Sequence, residues 1–494
     1  MSWLVALRNH FAGRVLLFLS ATVFQGLTAV AILPLTTVVL DAADFGYFAL
    51  MMSWAALISS FGDAGASLAL PAHYAVASVA ERRRMLSSFF LVSLLFSSGL
   101  AVLFLAAWPW LEQMMVGSAE SSRTAHILTA LLIPMKSVTI LSTNVFSVAG
   151  RSNAVAAQIA SQALGTFVGT LISLYGFHLG LSSLFVGAVV GQTCSVAIAV
   201  TALGAEPWPA PSRQWLSVLR SHSLPSLAAG ITGGLRSIGE NSVVAANLNI
   251  ATVGYLSHAR LYFGMVLAAT NAVALNVWST SLAEARDPQR HFSTTKRVWM
   301  PIHILIALFG VAFSCFGEEF VAVLTHDRLT PAARIVPWLA VLLLIHVSGR
   351  TQNATIYAIG EARSLINAKS MISISCLAAL PFAVGAMGGF GWNAGLAGVV
   401  AVLLAEAISF RLYIYWKSAS LRQRGRFDDG WVVCGSVAIV LSWLFNVYMG
   451  PALMTRIALC GAVCVATAVM EREKIIDLLR ILLNRSQAKT QDTF

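Results

Sequence analysis

The chain has 494 residues, of which 57% are hydrophobic and only 11% charged, with a mean hydropathy of +0.77 and a net charge of +11. So few charges cannot cover a water-soluble surface, which excludes a soluble multidomain protein and leaves a polytopic membrane protein. The basic excess does not point to nucleic acid, because the basic residues sit in short loops between apolar segments rather than on a polar module.

In chain order, fourteen apolar stretches are long enough to be spans, near 15–40, 46–70, 86–108, 126–149, 153–175, 180–203, 223–248, 255–281, 298–323, 333–358, 366–389, 393–416, 431–449 and 452–470. The first, preceded by Arg8 and Arg14, is too long for a signal-peptide core and reads as an uncleaved span. If the short final pair were one interfacial hairpin, twelve would remain. With the N-terminus inside, the inner segments collect Arg8, Arg14, Arg82 to Arg84, Arg151, Arg213 and Arg220, then Arg286, Arg290, Lys296 and Arg297. Farther on they hold Arg363, Lys369, Lys417, Arg422, Arg424 and Arg426. The outer loops hold only Arg123, Arg328, Arg334 and Arg456 among seven acids, so the positive-inside rule places both termini in the cytoplasm.

A Pro-rich inner linker, 204-GAEPWPAPSRQWLSVLRSHS-223, follows the sixth span and divides the first twelve into two sets of six. The expected fold is therefore all-α and polytopic, with about 14 transmembrane helices in two six-helix lobes plus two C-terminal helices. Its parts are an N-terminal lobe at 1–203, a cytoplasmic linker at 204–222 and a C-terminal lobe at 223–416. Two appended spans at 417–470 and an amphipathic tail at 471–494 complete it, the tail lying on the inner leaflet with Ile475, Leu478, Leu479 and Leu482 toward lipid. The halves share a weak echo, in which Gly150 and Gly360 close helices ahead of a basic inner turn. Glycine pairs four apart (Gly165 and Gly169, Gly187 and Gly191, Gly230 and Gly234, Gly391 and Gly395) predict close helix packing, and Gly233 stands one turn before Arg236, where it could leave room for a ligand.

Charges inside the spans are the main functional signal, since an ionised group at membrane depth needs a wet cavity or a partner. They are Asp63, Lys136, Arg236, Glu240, Arg260, Arg350 and Glu406. Arg236 and Glu240 lie four apart on one helix face, and Arg236 falls about 20 Å along a helix starting near Ser223. Four of the seven are cationic, three of them Arg, whose planar fork matches phosphate oxygens. A cation-lined path suits an anionic substrate. The alternative is that the acids simply neutralise the bases between helices. Trp278, Trp338, Trp392, Tyr255, Tyr262 and Tyr357 could stack on sugar rings or serve as interfacial anchors.

Enzymatic signals are weak. There is no Gly-rich phosphate loop followed by Lys and no His/acid metal cluster, so neither a cofactor nor a metal is expected. The six cysteines, Cys460 and Cys464 on one face included, read as small packing residues. Asp41 and Asp44, three apart in the first outer loop, read as a solvated loop end before a catalytic acid pair. The longest outer loop, near Pro109 to Ala125, is short for a membrane polysaccharide polymerase.

Two stretches carry a resemblance. In 45-FGYFALMMSWAALISSFGDAGASLAL-70 an aromatic–Gly turn leads a helix ending in an Asp–Gly-type motif on Asp63, Gly65 and Ala66, and 353-NATIYAIGEAR-363 holds an Asn–aromatic–Gly turn. With the span plan, these resemble Wzx-type flippases of the polysaccharide transporter family, in the multidrug/oligosaccharidyl-lipid/polysaccharide exporter superfamily. The chain departs from that pattern at Ala64, where Leu is usual, and in its Arg-rich first inner loop. The resemblance implies a two-lobed bundle in the bacterial cytoplasmic membrane that alternates between leaflets. It implies an undecaprenyl-pyrophosphate-linked oligosaccharide as cargo, with membrane lipids around it and a polysaccharide polymerase and chain-length regulator as candidate partners. In that reading Arg236, supported by Lys136, Arg260 and Arg350, holds the diphosphate. Asp63, Glu240 or Glu406 then binds a coupling H+ or Na+, or answers the arginines. The rivals are a lipid II flippase, a drug/cation antiporter and, in another class, a polysaccharide polymerase.

Overall fold

The computed structural model describes residues 11–62, 65–74, 77–115, 123–204, 210–283, 288–348, 362–388, 392–420, 430–449 and 453–470. Asp63, Arg350, Tyr357, Gly360, Gly391 and the predicted amphipathic tail at 471–494 lie outside them.

Sixteen α-helices follow one another, with no strand among the described residues. The N-terminal lobe runs α1 (Phe11–Ala31), α2 (Leu33–Thr36), α3 (Ala42–Gly62), α4 (Ala66–Tyr74), α5 (Val79–Met115), α6 (Arg123–Val148), α7 (Ser152–Leu171) and α8 (Ser182–Leu203). The C-terminal lobe runs α9 (Arg213–Asn247), α10 (Ile250–Ala283), α11 (Pro288–Thr325), α12 (Val336–Ser348), α13 (Ala362–Gly388) and α14 (Trp392–Ser420). Then come α15 (Gly430–Met449) and α16 (Leu453–Met470), of which both pack on α11 and α15 also on α12. Helix lies at each of the fourteen predicted positions, and among the described residues nine helices are long and apolar enough to cross a membrane. Large side chains on their outer faces, such as Leu103, Val323 and Phe382, are 64–79% exposed, a surface suited to lipid rather than water.

Local chemistry explains most helix ends. Asp41 caps α3: its Oδ1 accepts the amides of Ala43 and Asp44, while Asp44 Oδ2 accepts the Asp41 amide. The acid pair Asp41 and Asp44 is thus a helix cap. Ser78 and Glu81 form the same reciprocal box at the start of α5. Gly150, at φ +69°, ends α6 in the left-handed region, and the Arg151 amide closes back to the Phe146 carbonyl.

Three boundaries differ from the sequence expectation. The first span is interrupted at Ile32, because Pro34 starts the short α2 rather than continuing α1. The span expected at 46–70 is two helices, α3 ending at Gly62 and α4 starting at Ala66, with Gly65 at φ +86° between them. The linker expected at 204–222 is shorter, since α9 begins at Arg213. Its 35 residues extend about 52 Å, well beyond a hydrocarbon core of about 30 Å. The early turns form a packed segment rather than a tether. Trp215 and Leu219 are buried against Met85, Phe89 and Ala66 of the N-terminal lobe, and the Ser212 amide donates to Ser88 Oγ at 2.9 Å.

The lobes meet along α3, which packs on both α9 and α10, and along α1, which packs on α10. A side chain at Gly46 would strike the Ile250 carbonyl, and one at Gly254 the Ala42 carbonyl, so the two backbones touch there only because both residues are Gly. Arg328 donates to the Leu40 carbonyl at 3.2 Å, and Thr37 Oγ1 lies 3.4 Å from His326 Nδ1. These contacts tie the lobes at one end of the bundle, while Trp215 ties them at the other. Within the N-terminal lobe, α7 and α8 pack glycine against glycine, a Cβ on Gly165 falling 2.9 Å from Gly191 Cα. Gly234 faces Leu57 and Gly395 faces Leu248, which makes these glycines packing elements.

Candidate functional site

On the C-terminal helices, where they face α3, four of the seven membrane charges gather into one chain of ion pairs. Arg236 Nε bonds Glu240 Oε1 at 3.0 Å on α9, and its Nη1 reaches Glu406 Oε1 of α14 at 3.1 Å. The other oxygen of Glu240 takes the guanidinium of Arg260 on α10, which also reaches Asn241 Oδ1 at 3.4 Å. Ser373 of α13 donates to Glu406. Asn241 donates to Ser53 Oγ of α3 at 2.7 Å, and Ser237 Oγ to the same atom at 3.3 Å, so the N-terminal lobe is tied in as well.

The geometry follows from helix periodicity and one hairpin. Residues 236 and 240 share one face of α9 and residues 237 and 241 the adjoining one, and the turn at Leu248 and Asn249 returns α10 antiparallel, which brings Arg260 within reach of Glu240. The Gly239 position, tight against Leu377, lets α13 approach from the other side.

Burial separates the two charge types. Glu240 and Glu406 are 4% and 7% exposed, whereas the Arg236 and Arg260 side chains keep 34% and 29% of their surface open. A buried carboxylate demands cationic partners, and here each has at least one guanidinium together with a further donor or a second guanidinium. Two guanidiniums answer two carboxylates, so the cluster is neutral as it stands. The partly open edges of both arginines retain unused N–H donors, which can face a phosphate oxygen without breaking the inner pairs.

Lys136 stands apart on α6, two residues after Pro134, half-buried and with no ion pair or hydrogen bond among the described residues. Next to it, Ser137 Oγ donates to the Ser59 carbonyl at 3.2 Å, and Ser59 Oγ returns the contact to the Ile133 carbonyl. Helix α3 therefore carries both connections, Ser53 toward α9 and Ser59 toward α6. A polar seam runs beside Lys136, in which Gln192 bonds Thr139 and Gln162, and Gln158 bonds Ser142.

Of the aromatic candidates, Tyr262 is fully buried among His258, Phe313 and Phe320 and belongs to the core rather than to a sugar platform. Trp338 packs edge-on against Trp443, and Tyr255 is half-buried. Among the described residues no group of three or more His, Cys, Asp or Glu is placed to hold a metal ion. Ser53, Ser237, Asn241 and Ser373 are members of the site that sequence reading missed. Ser237 and Asn241 adjoin a charged residue in the sequence and Ser373 stands one turn after Lys369, whereas Ser53, more than two turns from any charge, carries no local signal.

Residues 38–334 match the family model described as polysaccharide biosynthesis protein. The chain belongs to that family. No curated protein matches it. Among solved structures, the lipid II flippase MurJ in an inward-closed conformation shares 14% identity at a TM-score of 0.68, covering 93% of this chain and 100% of that one. An inward-facing multidrug resistance MATE transporter of the MOP superfamily shares 16% at 0.62, covering 83% and 99%. A MOP superfamily transporter from Pyrococcus furiosus, described by the reverse polarity of its binding pocket, shares 12% at 0.53, covering 85% and 98%. At these identities the likeness shows the fold, that of a multi-pass MOP-superfamily transporter, in keeping with the Wzx-type resemblance.

Proposed function

We propose that this protein is a flippase, not an enzyme, that moves undecaprenyl-pyrophosphate-linked oligosaccharide units from the inner to the outer leaflet of the bacterial cytoplasmic membrane. The observation that carries the reading is the cluster at the lobe interface, where buried Glu240 and Glu406 hold two arginines whose outer edges stay open. The diphosphate is the group that most resists transfer through hydrocarbon, and fixed guanidiniums replace part of its hydration. Arg236 and Arg260 bind it, with Lys136 and Arg350 as further cationic stations. The polyprenyl tail remains in lipid while the lobes, pivoting about the α3 contacts with α9 and α10, re-expose the site. In this reading the chain crosses the membrane about fourteen times with both termini in the cytoplasm, and the site is reached from either leaflet in turn. Glu240, Glu406 or Asp63 is the point at which an H+ or Na+ would couple, since protonating either cluster acid frees a guanidinium for the cargo.

The test is complementation in a deletion host, following radiolabelled lipid-linked oligosaccharide, with Arg236→Ala and Arg236→Lys at matched expression. Accumulation of intact units on the cytoplasmic side, unrelieved by Arg236→Ala, supports translocation. Units that reach the outer face but stay unpolymerised would overturn the reading in favour of a polymerase.

A further inference from the structure

Away from the arginine cluster, the outer half of the C-terminal lobe contains a cavity of about 660 Å³. It opens between α11, the turn Thr330–Arg334, α12, α14, α15 and α16. Its volume lies within the range of small-molecule sites. One wall is apolar, formed by Leu396, Val400 and Leu404, three successive turns of α14 that descend from the outer end toward mid-membrane. Trp338 and Trp443 form the upper rim, their rings 5.1 Å apart and nearly perpendicular.

Two observations point to a polar ligand above that wall. Trp443 Nε1 and Asn446 Oδ1, one turn apart on α15, are buried atoms without a hydrogen-bond partner among the described residues. Each is closed to water on a residue that lines the cavity, so its unmet hydrogen bond is a cost that a polar ligand reaching it would relieve. Two ion pairs adjoin the cavity: Arg334 with Glu318 at 2.7 Å, both in its lining, and Arg456, also in the lining, with Glu319 just outside it, Arg456 donating as well to the Cys315 carbonyl. Both are partly exposed, so each exchanges its partner for a ligand group at small cost.

We propose that this cavity binds a zwitterionic phospholipid of the outer leaflet. The phosphate takes Arg334 and Arg456, a primary ammonium takes Glu318 and Glu319, and the ester region meets Trp443 Nε1 and Asn446. The upper acyl chain lies along Leu396, Val400 and Leu404. Charge balance selects the headgroup: a zwitterion replaces both partners of an Arg–Glu pair, whereas a net anion leaves a carboxylate uncompensated. The site is independent of the cargo path through Arg236.

The experiment is native mass spectrometry of the purified full chain, titrated with phosphatidylethanolamine or phosphatidylglycerol of matched acyl chains. One phosphatidylethanolamine is expected to be retained about tenfold more than phosphatidylglycerol, the factor one net charge-assisted contact carries. Trp443→Phe combined with Asn446→Leu, two apolar replacements suited to a membrane helix, should lose that preferential adduct while keeping the gel-filtration profile. Glu318→Gln combined with Glu319→Gln should shift the preference toward phosphatidylglycerol. Equal retention of both lipids by the unaltered protein, an unchanged adduct in the α15 variant, or capture only of detergent would each overturn the proposal.

Discussion

Replacing Glu240 by Gln keeps the size of the side chain and removes the charge that Arg236 and Arg260 share. At 3.0 Å, the Arg236 contact alone represents about 5 kcal/mol of Coulomb attraction at an effective dielectric near 20, largely offset by the desolvation of both groups. Breaking a fully buried pair costs about 3–5 kcal/mol. Here Arg236 keeps Glu406, both guanidiniums retain about a third of their exposure and the Gln oxygen still accepts, so the expected net loss is about 2 kcal/mol. For a chain of 494 residues that corresponds to a fall in Tm of about 2 °C. A thermal scan by intrinsic fluorescence in detergent, against Arg260→Met and the double variant, measures the coupling. The double variant restores neutrality with one Arg and one Glu, and it should recover at least half of the loss. A double variant as unstable as the sum of the two single changes would show that the pairing contributes nothing, and the account of burial around Glu240 would fail.

Three further outcomes follow from the geometry. Lys136→Ala should reduce export of lipid-linked units at least about tenfold while leaving Tm nearly unchanged, because no acid among the described residues depends on it; Lys136→Arg should retain export in the same complementation assay. Cysteines at positions 37 and 326 in a background without the native cysteines, joined by a short thiol-specific crosslinker, should block export reversibly if the outer lobe contact must open; unimpaired export by fully crosslinked protein would refute that. Gly191→Leu should destabilise by about 3 kcal/mol or prevent accumulation, since even a Cβ there meets the Thr166 side chain, whereas Gly461→Ala, with open space around it, should be neutral by expression level and thermal scan.

Much of the architecture was legible because a bilayer imposes a simple length and polarity rule on each span. The Arg236–Glu240 face was legible for the same reason, being a local i,i+4 relation. Partnership across helices was harder. The link from Arg236 to Glu406 joins residues far apart in the chain, and nothing in either local stretch specifies the other. Arg260 was more accessible than it looked: Glu240 stands eight residues before Leu248 and Arg260 twelve after it, so an antiparallel hairpin brings them within about one helical turn and the long guanidinium side chain spans the rest. The α3–α4 break was hidden, since Asp-Ala-Gly within an apolar run resembles a continuing helix until Gly65 takes its positive φ. The first turns of α9 were mistaken for linker because Pro207, Pro209 and Pro211 draw attention away from the Trp215–Leu219 repeat that packs below Phe89.

The arrangement of the buried charges also bears on how the chain is made. An arginine or an acid at the centre of an inserting helix carries a penalty of about 2.5–3.5 kcal/mol. Because Arg236 and Glu240 are one turn apart, α9 enters the bilayer with its cation already answered. Arg260 arrives next, on α10, to share the same carboxylate. Glu406 emerges from the ribosome long afterwards, with Arg236 already in place to receive it. A nascent chain halted before Trp392 therefore holds two arginines and a single acid in this cluster, a net charge that the completed protein lacks. Membrane quality-control machinery that senses unpaired charge within the bilayer has a direct means of distinguishing the unfinished protein from the finished one.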